Sequence, residues 1–109
     1  METEVESSEG WVYLIHLERP LHHAKHYLGS STDVVGRMDA HRRGQGSRLL
    51  RAVNGAGIGY QVVRLWRYNS ETQARRYEAQ LKRQQHNGRL CPVCQRQDSI
   101  APVQDHDVD

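Results

Sequence analysis

The chain has 109 residues, 37% hydrophobic and 26% charged, with a formal net charge of +2. That length suits one domain with one core, and no apolar run approaches the ~20 residues that span a bilayer, so no membrane partner is expected. The mild total hides three unlike parts: residues 1–10 carry four Glu and no base (−4), residues 11–90 carry 14 bases against five acids (+9), and residues 91–109 carry Arg96 against four Asp (−3).

A basic body attracts polyanions, and acidic ends can shield it from indiscriminate binding. Of the 15 bases 13 are Arg, whose planar fork suits bidentate phosphate contacts. Nucleic acid is therefore the first expected partner; the plain alternative is a solvated surface that prefers Arg. The start, METEVESSEG, reverses the cationic-then-apolar layout of a secretory signal. Cys91 and Cys94 are too close and too few for a disulfide framework, so a cytoplasmic chain with reduced thiols is expected. The pattern divides into an acidic tail (1–9), a folded domain (10–90) and an acidic tail with one Cys-x-x-Cys (91–109) that is expected to be disordered.

In chain order, WVYLIHL (11–17) and HYLGS (26–30) read as paired strands separated by a loop containing Pro20. The first is apolar on both alternating faces until His16, which predicts a central strand covered on both sides. Asp33 or Thr32 can cap a helix from Val34 to about Gly44, with Val34, Val35 and Met38 as its apolar positions. SRLLRAV (47–53) predicts a second helix, capped by Ser47 and stopped at Asn54-Gly55. YQVVRLWR (60–67) predicts a third strand. SETQARRYEAQLKRQQ (70–85) predicts a long helix with Ser70 and Gln73 at capping-box spacing and a stripe of Ala74, Tyr77 and Leu81. The order strand, strand, helix, helix, strand, helix gives a small mixed α/β or α+β domain.

Glu78 falls within the stripe that should face the protein, where an unpaired carboxylate costs several kcal/mol at least. It should sit at the rim of a cleft, paired with a base or holding a metal; alternatively it leans outward or pairs with Arg75 or Lys82 on its own helix. Arg37 and His41, four residues apart, share a helical face. Together a guanidinium and an imidazole can grip a phosphodiester and move a proton, although Arg42 and Arg43 beside them also fit a solvated basic surface. Tyr13 and Tyr27 lie on the paired strands, where tyrosines usually just pack.

The motifs GWVYLI, HYLGSS, GRMDAH and ARRYEAQLK, in that order, resemble those of the GIY-YIG endonuclease family. The likeness covers roughly residues 10–85. Its first motif keeps only the tyrosine of Gly-Ile-Tyr, and Asn87, the candidate for the family's late asparagine, comes earlier than expected. The resemblance implies a small three-stranded antiparallel sheet flanked by three helices, and an enzyme that hydrolyses DNA phosphodiester bonds with one divalent ion, Mg²⁺ or Mn²⁺, on Glu78. A hard cation keeps several waters, so a single carboxylate can anchor it. By the same likeness Arg37 holds the scissile phosphate, Tyr13 takes a proton from water, Tyr27 orients water or phosphate, and His41 supports a tyrosine hydroxyl or shuttles the proton; the two tyrosine roles can exchange. A free tyrosine has a pKa of about 10, and neighbouring cations are expected to favour the phenolate.

Lys25, His26, Arg42, Arg43, Arg48 and Lys82 are the expected contacts to the nucleic-acid backbone. A partner protein or a second copy is a further expected source of substrate specificity, and a binding module that has lost cleavage is the alternative function. PLHHAKH (20–26) gathers His22, His23 and His26 without a regular element to fix a metal geometry, and GAGIG (55–59) lacks nucleotide-fingerprint spacing. HNGRLCPVC (86–94) offers a single Cys-x-x-Cys, with His86 and His106 as the histidines to complete a zinc set. The favoured expectation for Cys91 and Cys94 is that they finish the fold or remain without a metal.

Overall fold

The computed structural model describes residues 9–84 and 87–95. Three strands, β1 (Gly10–Leu21), β2 (Ala24–Ser31) and β3 (Tyr60–Tyr68), form an antiparallel sheet in the order β2-β1-β3. The helices are α1 (Val34–Arg42), α2 (Arg48–Gly55), α3 (Glu71–Gln84) and the short α4 (Asn87–Leu90), followed by a helical turn over residues 92–95. The fold is α+β, as expected. His86 and His106 lie outside the described residues, as do residues 1–8 and 96–109 of the two acidic ends and the side chain of Asn87.

β1 is central, and its alternation feeds two cores. Tyr13, Ile15 and Leu17 pack with Met38 of α1, Leu50 and Val53 of α2, and Ile58. On the opposite face Val12 and Leu14 pack with Leu28 of β2, Ala74 of α3 and Cys91. Each such apolar side chain contributes about 1.5–3 kcal/mol by leaving water, so β1 carries much of the stabilisation of both layers. Among the described residues, no helix is long and apolar enough to cross a membrane.

The local signals explain the helix limits. Asp33 accepts a hydrogen bond from the Gly36 amide at 3.0 Å, and Ser47 one from Leu50 at 3.1 Å. Ser70 accepts from Gln73 N–H while the Gln73 side chain accepts from Asn69 N–H. Asn54, read as a stop for α2, also donates to the His41 carbonyl at 2.8 Å and so ties the end of α1 to α2.

Four expectations change. β1 continues through Pro20, which lies in the irregular stretch between the His16–His26 and Leu21–Ala24 pairs and past the last pairing with β3, at Leu17, where no ladder needs its amide. PLHHAKH is therefore part of a β1–β2 hairpin whose turn holds His22 at φ 56°. Val35 is 81% exposed: Val34, Met38 and His41 make up the inward face of α1, and Val35 lies off it. Tyr77 lies outside the buried stripe and stacks on Tyr68, rings 4.7 Å apart and 10° from parallel. Cys91, placed by sequence in the acidic tail, is fully buried.

Candidate active site

Tyr13 and Tyr27 come from adjacent strands, and the register sets Tyr13 opposite Gly29 and Tyr27 opposite Ile15. A Cβ built on Gly29 would fall on the Tyr13 Cζ and Oη atoms, so the glycine of Tyr-Leu-Gly is the seat of the phenol. Gly29→Ala is expected to push that hydroxyl aside, costing about 1–3 kcal/mol of overpacking. Thermal melting checks this; a melting temperature equal to wild type would contradict it.

His41, wholly buried although it lies on a basic helix, meets Tyr13 from the other side. Its Nε2 lies 2.8 Å from Tyr13 Oη, and its Nδ1 lies 3.2 Å from the Gln45 carbonyl oxygen. A carbonyl only accepts, so Nδ1 carries the proton and Nε2 presents a lone pair to the Tyr13 hydroxyl, which donates. The Tyr27 ring stands edge-on to His41, with centroids 5.6 Å apart. Gly46, at φ +89°, closes the loop after α1: a Cβ there would lie 3.3 Å from His41 Cε1 and 3.6 Å from an Arg37 Nη. Arg37, His41, Tyr13 and Tyr27 thus form one group.

Burial pushes the His41 pKa below its usual value; the Gln45 carbonyl opposes that shift and Arg37 adds to it. The resting imidazole is neutral near pH 7. For Tyr13 the expected effect of neighbouring cations is overturned. Burial dominates and raises its pKa well above the ordinary tyrosine value, Tyr27 and Glu78 raise it further, and Arg37 opposes them without prevailing.

Glu78 projects from α3 onto β2, the edge strand. Its Oε1 accepts a 2.6 Å hydrogen bond from the Ser30 hydroxyl, and its Oε2 lies 2.6 Å from Lys82 Nζ, with the Glu78 side chain 17% exposed. Lys82 also stands 5.9 Å from the centre of the Tyr27 ring. The carboxylate thus adjoins the tyrosine group around the open edge of β2 and takes the alternative pairing with its own helix as well. The carboxylate is a hard oxygen donor of the kind a divalent cation takes, and such an ion would displace Lys82 Nζ from Oε2. Ser30 was not singled out in the sequence, although its place two residues after Leu28 puts it on the α3 face.

Of the expected backbone-binding residues, Lys25, Arg42, Arg43 and Arg48 are exposed. Arg43 is paired with Asp39 at 3.1 Å and Lys82 with Glu78. His26 is half-buried and turns toward His16 and Cys94.

This antiparallel sheet, with paired tyrosines on two strands and a carboxylate brought beside them by a later helix, has the layout of a nuclease domain. The family model of the GIY-YIG catalytic domain matches residues 9–90, and the chain belongs to that family. Its members are nucleases and generally depend on a divalent metal. No curated protein and no solved structure matches the chain.

Proposed function

We propose that the protein is a metal-dependent endonuclease that cuts DNA, with Tyr13, Tyr27, Arg37, His41 and Glu78 as its working groups. The observation that carries this reading is the buried Gln45–His41–Tyr13 chain, which offers a directed path for one proton beside an arginine and a carboxylate.

A Tyr13 with a raised pKa does not wait as a phenolate. It works as a relay: Oη takes a proton from the attacking water as its own proton passes to Nε2 of His41, which becomes imidazolium. The hydroxide oxygen bonds to phosphorus, the bond from phosphorus to the leaving oxygen breaks, and that oxygen takes a proton from solvent. Arg37 neutralises charge gathering on the phosphoryl oxygens. Tyr27 orients the water or the phosphate. Glu78 would hold the Mg²⁺ or Mn²⁺ ion, which supplies Lewis-acid stabilisation of that charge. Lys25, Arg42, Arg43 and Arg48 would draw in the DNA backbone, and a partner protein or second copy would add substrate choice.

Plasmid, flap and branched DNA incubated with purified protein test the proposal. Nicking is expected with Mg²⁺ and is expected to fall to background with chelator. Inactivity on every substrate with either Mg²⁺ or Mn²⁺, alongside retained DNA binding, would favour a binding module instead.

A further inference from the structure

A second constellation lies at the other end of the β2 row that carries Ser30. His16 and His26 face each other in register across β1 and β2. Cys91 and Cys94 reach them from the C-terminal segment, where the Gln95 amide donates to the Cys91 carbonyl at 3.0 Å and closes a helical turn. That turn puts the two thiols on one side. His16, His26, Cys91 and Cys94 present ligand atoms that all lie within 4.8 Å of one another.

The separations are His16 Nδ1 to His26 Nε2 3.3 Å, Cys91 Sγ to His16 Nδ1 3.3 Å, Cys94 Sγ to His16 Nδ1 3.8 Å and Cys94 Sγ to His26 Nε2 3.5 Å. A tetrahedral zinc with about 2.0–2.1 Å bonds to nitrogen and about 2.3 Å bonds to sulfur requires roughly 3.4 Å between nitrogens and about 3.6 Å from nitrogen to sulfur. These four separations match within a few tenths of an ångström, and the remaining two, Cys91 to Cys94 and Cys91 to His26, lie within 4.8 Å.

Hydrogen bonding alone does not account for the arrangement. An imidazole nitrogen has one in-plane direction, either an N–H or a lone pair, yet His16 Nδ1 faces three heteroatoms. Four such donor atoms within 4.8 Å of one another are what a cation satisfies, and two sulfurs with two imidazoles favour zinc among common metals.

We infer that His16, His26, Cys91 and Cys94 form a structural Cys₂His₂ zinc site that fastens the C-terminal segment to the β1–β2 hairpin. The set is closed by four protein ligands, leaving no position for a reacting water. Four residues along β2 separate His26 from Ser30, about 13 Å of strand, so this ion is separate from the one assigned to Glu78. The site adds a staple to the two hydrophobic layers of the domain. Sequence had pointed to His86 and His106 for this role because pairing across strands brings in residues some 75 positions away in the chain.

Metal analysis of the full chain, purified without a histidine tag and under reducing conditions, tests the site. About one zinc per chain is expected. Cobalt replacement should give the intense visible bands of a tetrahedral site and thiolate-to-cobalt charge transfer. Cys94→Ser and His26→Ala should each leave less than about 0.2 equivalents, and metal loss should lower Tm by at least about 10 °C. Glu78→Ala should keep its zinc. Metal-free wild-type protein whose Tm does not rise on adding zinc would overturn the inference, a readout that does not depend on any variant folding. Zinc retained by both ligand variants, or lost from Glu78→Ala, would overturn it as well.

Discussion

Glu78→Ala is expected to reduce metal-dependent DNA cleavage at least about 10³-fold while the protein stays folded and continues to bind DNA. Stability and chemistry separate at this residue. The ion pair with Lys82 spans four residues of one helix and its lysine is 51% exposed, so it is worth only about 0.3–0.5 kcal/mol. The Ser30 hydrogen bond, to a charged acceptor, adds roughly 1.5–3 kcal/mol, and the freed hydroxyl and ammonium can be hydrated at the rim. Loss of an anchored divalent cation, by contrast, removes several kcal/mol of charge stabilisation, and about 4 kcal/mol is a factor of roughly 10³ in rate. Single-turnover cleavage, DNA binding and melting should be measured on one preparation. A variant keeping more than a tenth of the wild-type rate would refute the metal role of Glu78; activity lost together with the fold would assign it a structural role instead.

Tyr13→Phe is expected to cost about 10²–10⁴ in the cleavage step, the usual worth of a positioned proton acceptor. It removes the donor to His41 Nε2 in a fully buried site, so about 1–3 kcal/mol of stability should go too, and rates should be compared well below the melting range. The wild-type pH profile identifies the relay. His41 accepts a proton only when neutral, and its pKa lies below the usual histidine value because of burial, with Arg37 adding to the shift. Cleavage should therefore rise with pH through that lowered value and level off by about neutrality. A profile that instead climbs steadily toward pH 10, as a free phenolate base would require, would rule the relay out.

The same shift fixes a sign for stability. The unfolded chain protonates this histidine near pH 6.5, whereas the fold resists the proton until lower pH. This contribution is fully present above the unfolded value and is lost as pH falls through the folded one.

The sequence is most legible where one strand or helix decides the outcome. The apolar run of β1 and the caps at Asp33, Ser47 and Ser70 mark their elements because period and capping chemistry are local. The short α4 carries no period to read. Side chains gathered from several strands and helices are harder to read. His41 lies among arginines on a helix whose pattern also suits a solvated face, and only the sheet packed on α1 reveals that it is buried. Likewise the protonation of Tyr13 depends on how much protein encloses it, which motif spacing does not encode. Val35 and Tyr77 illustrate the converse, since apolar residues at helical spacing can still face outward when a polar residue such as His41 takes the inward place or an aromatic neighbour offers a stack.

One detail of the buried imidazole bears on how a catalytic cycle would close. With Nδ1 committed to the Gln45 backbone and the ring sealed from solvent, His41 has a single working doorway. A proton stored there must depart by the way it entered, through the phenol of Tyr13, itself buried, so resetting the enzyme would take a second transfer across that hydroxyl.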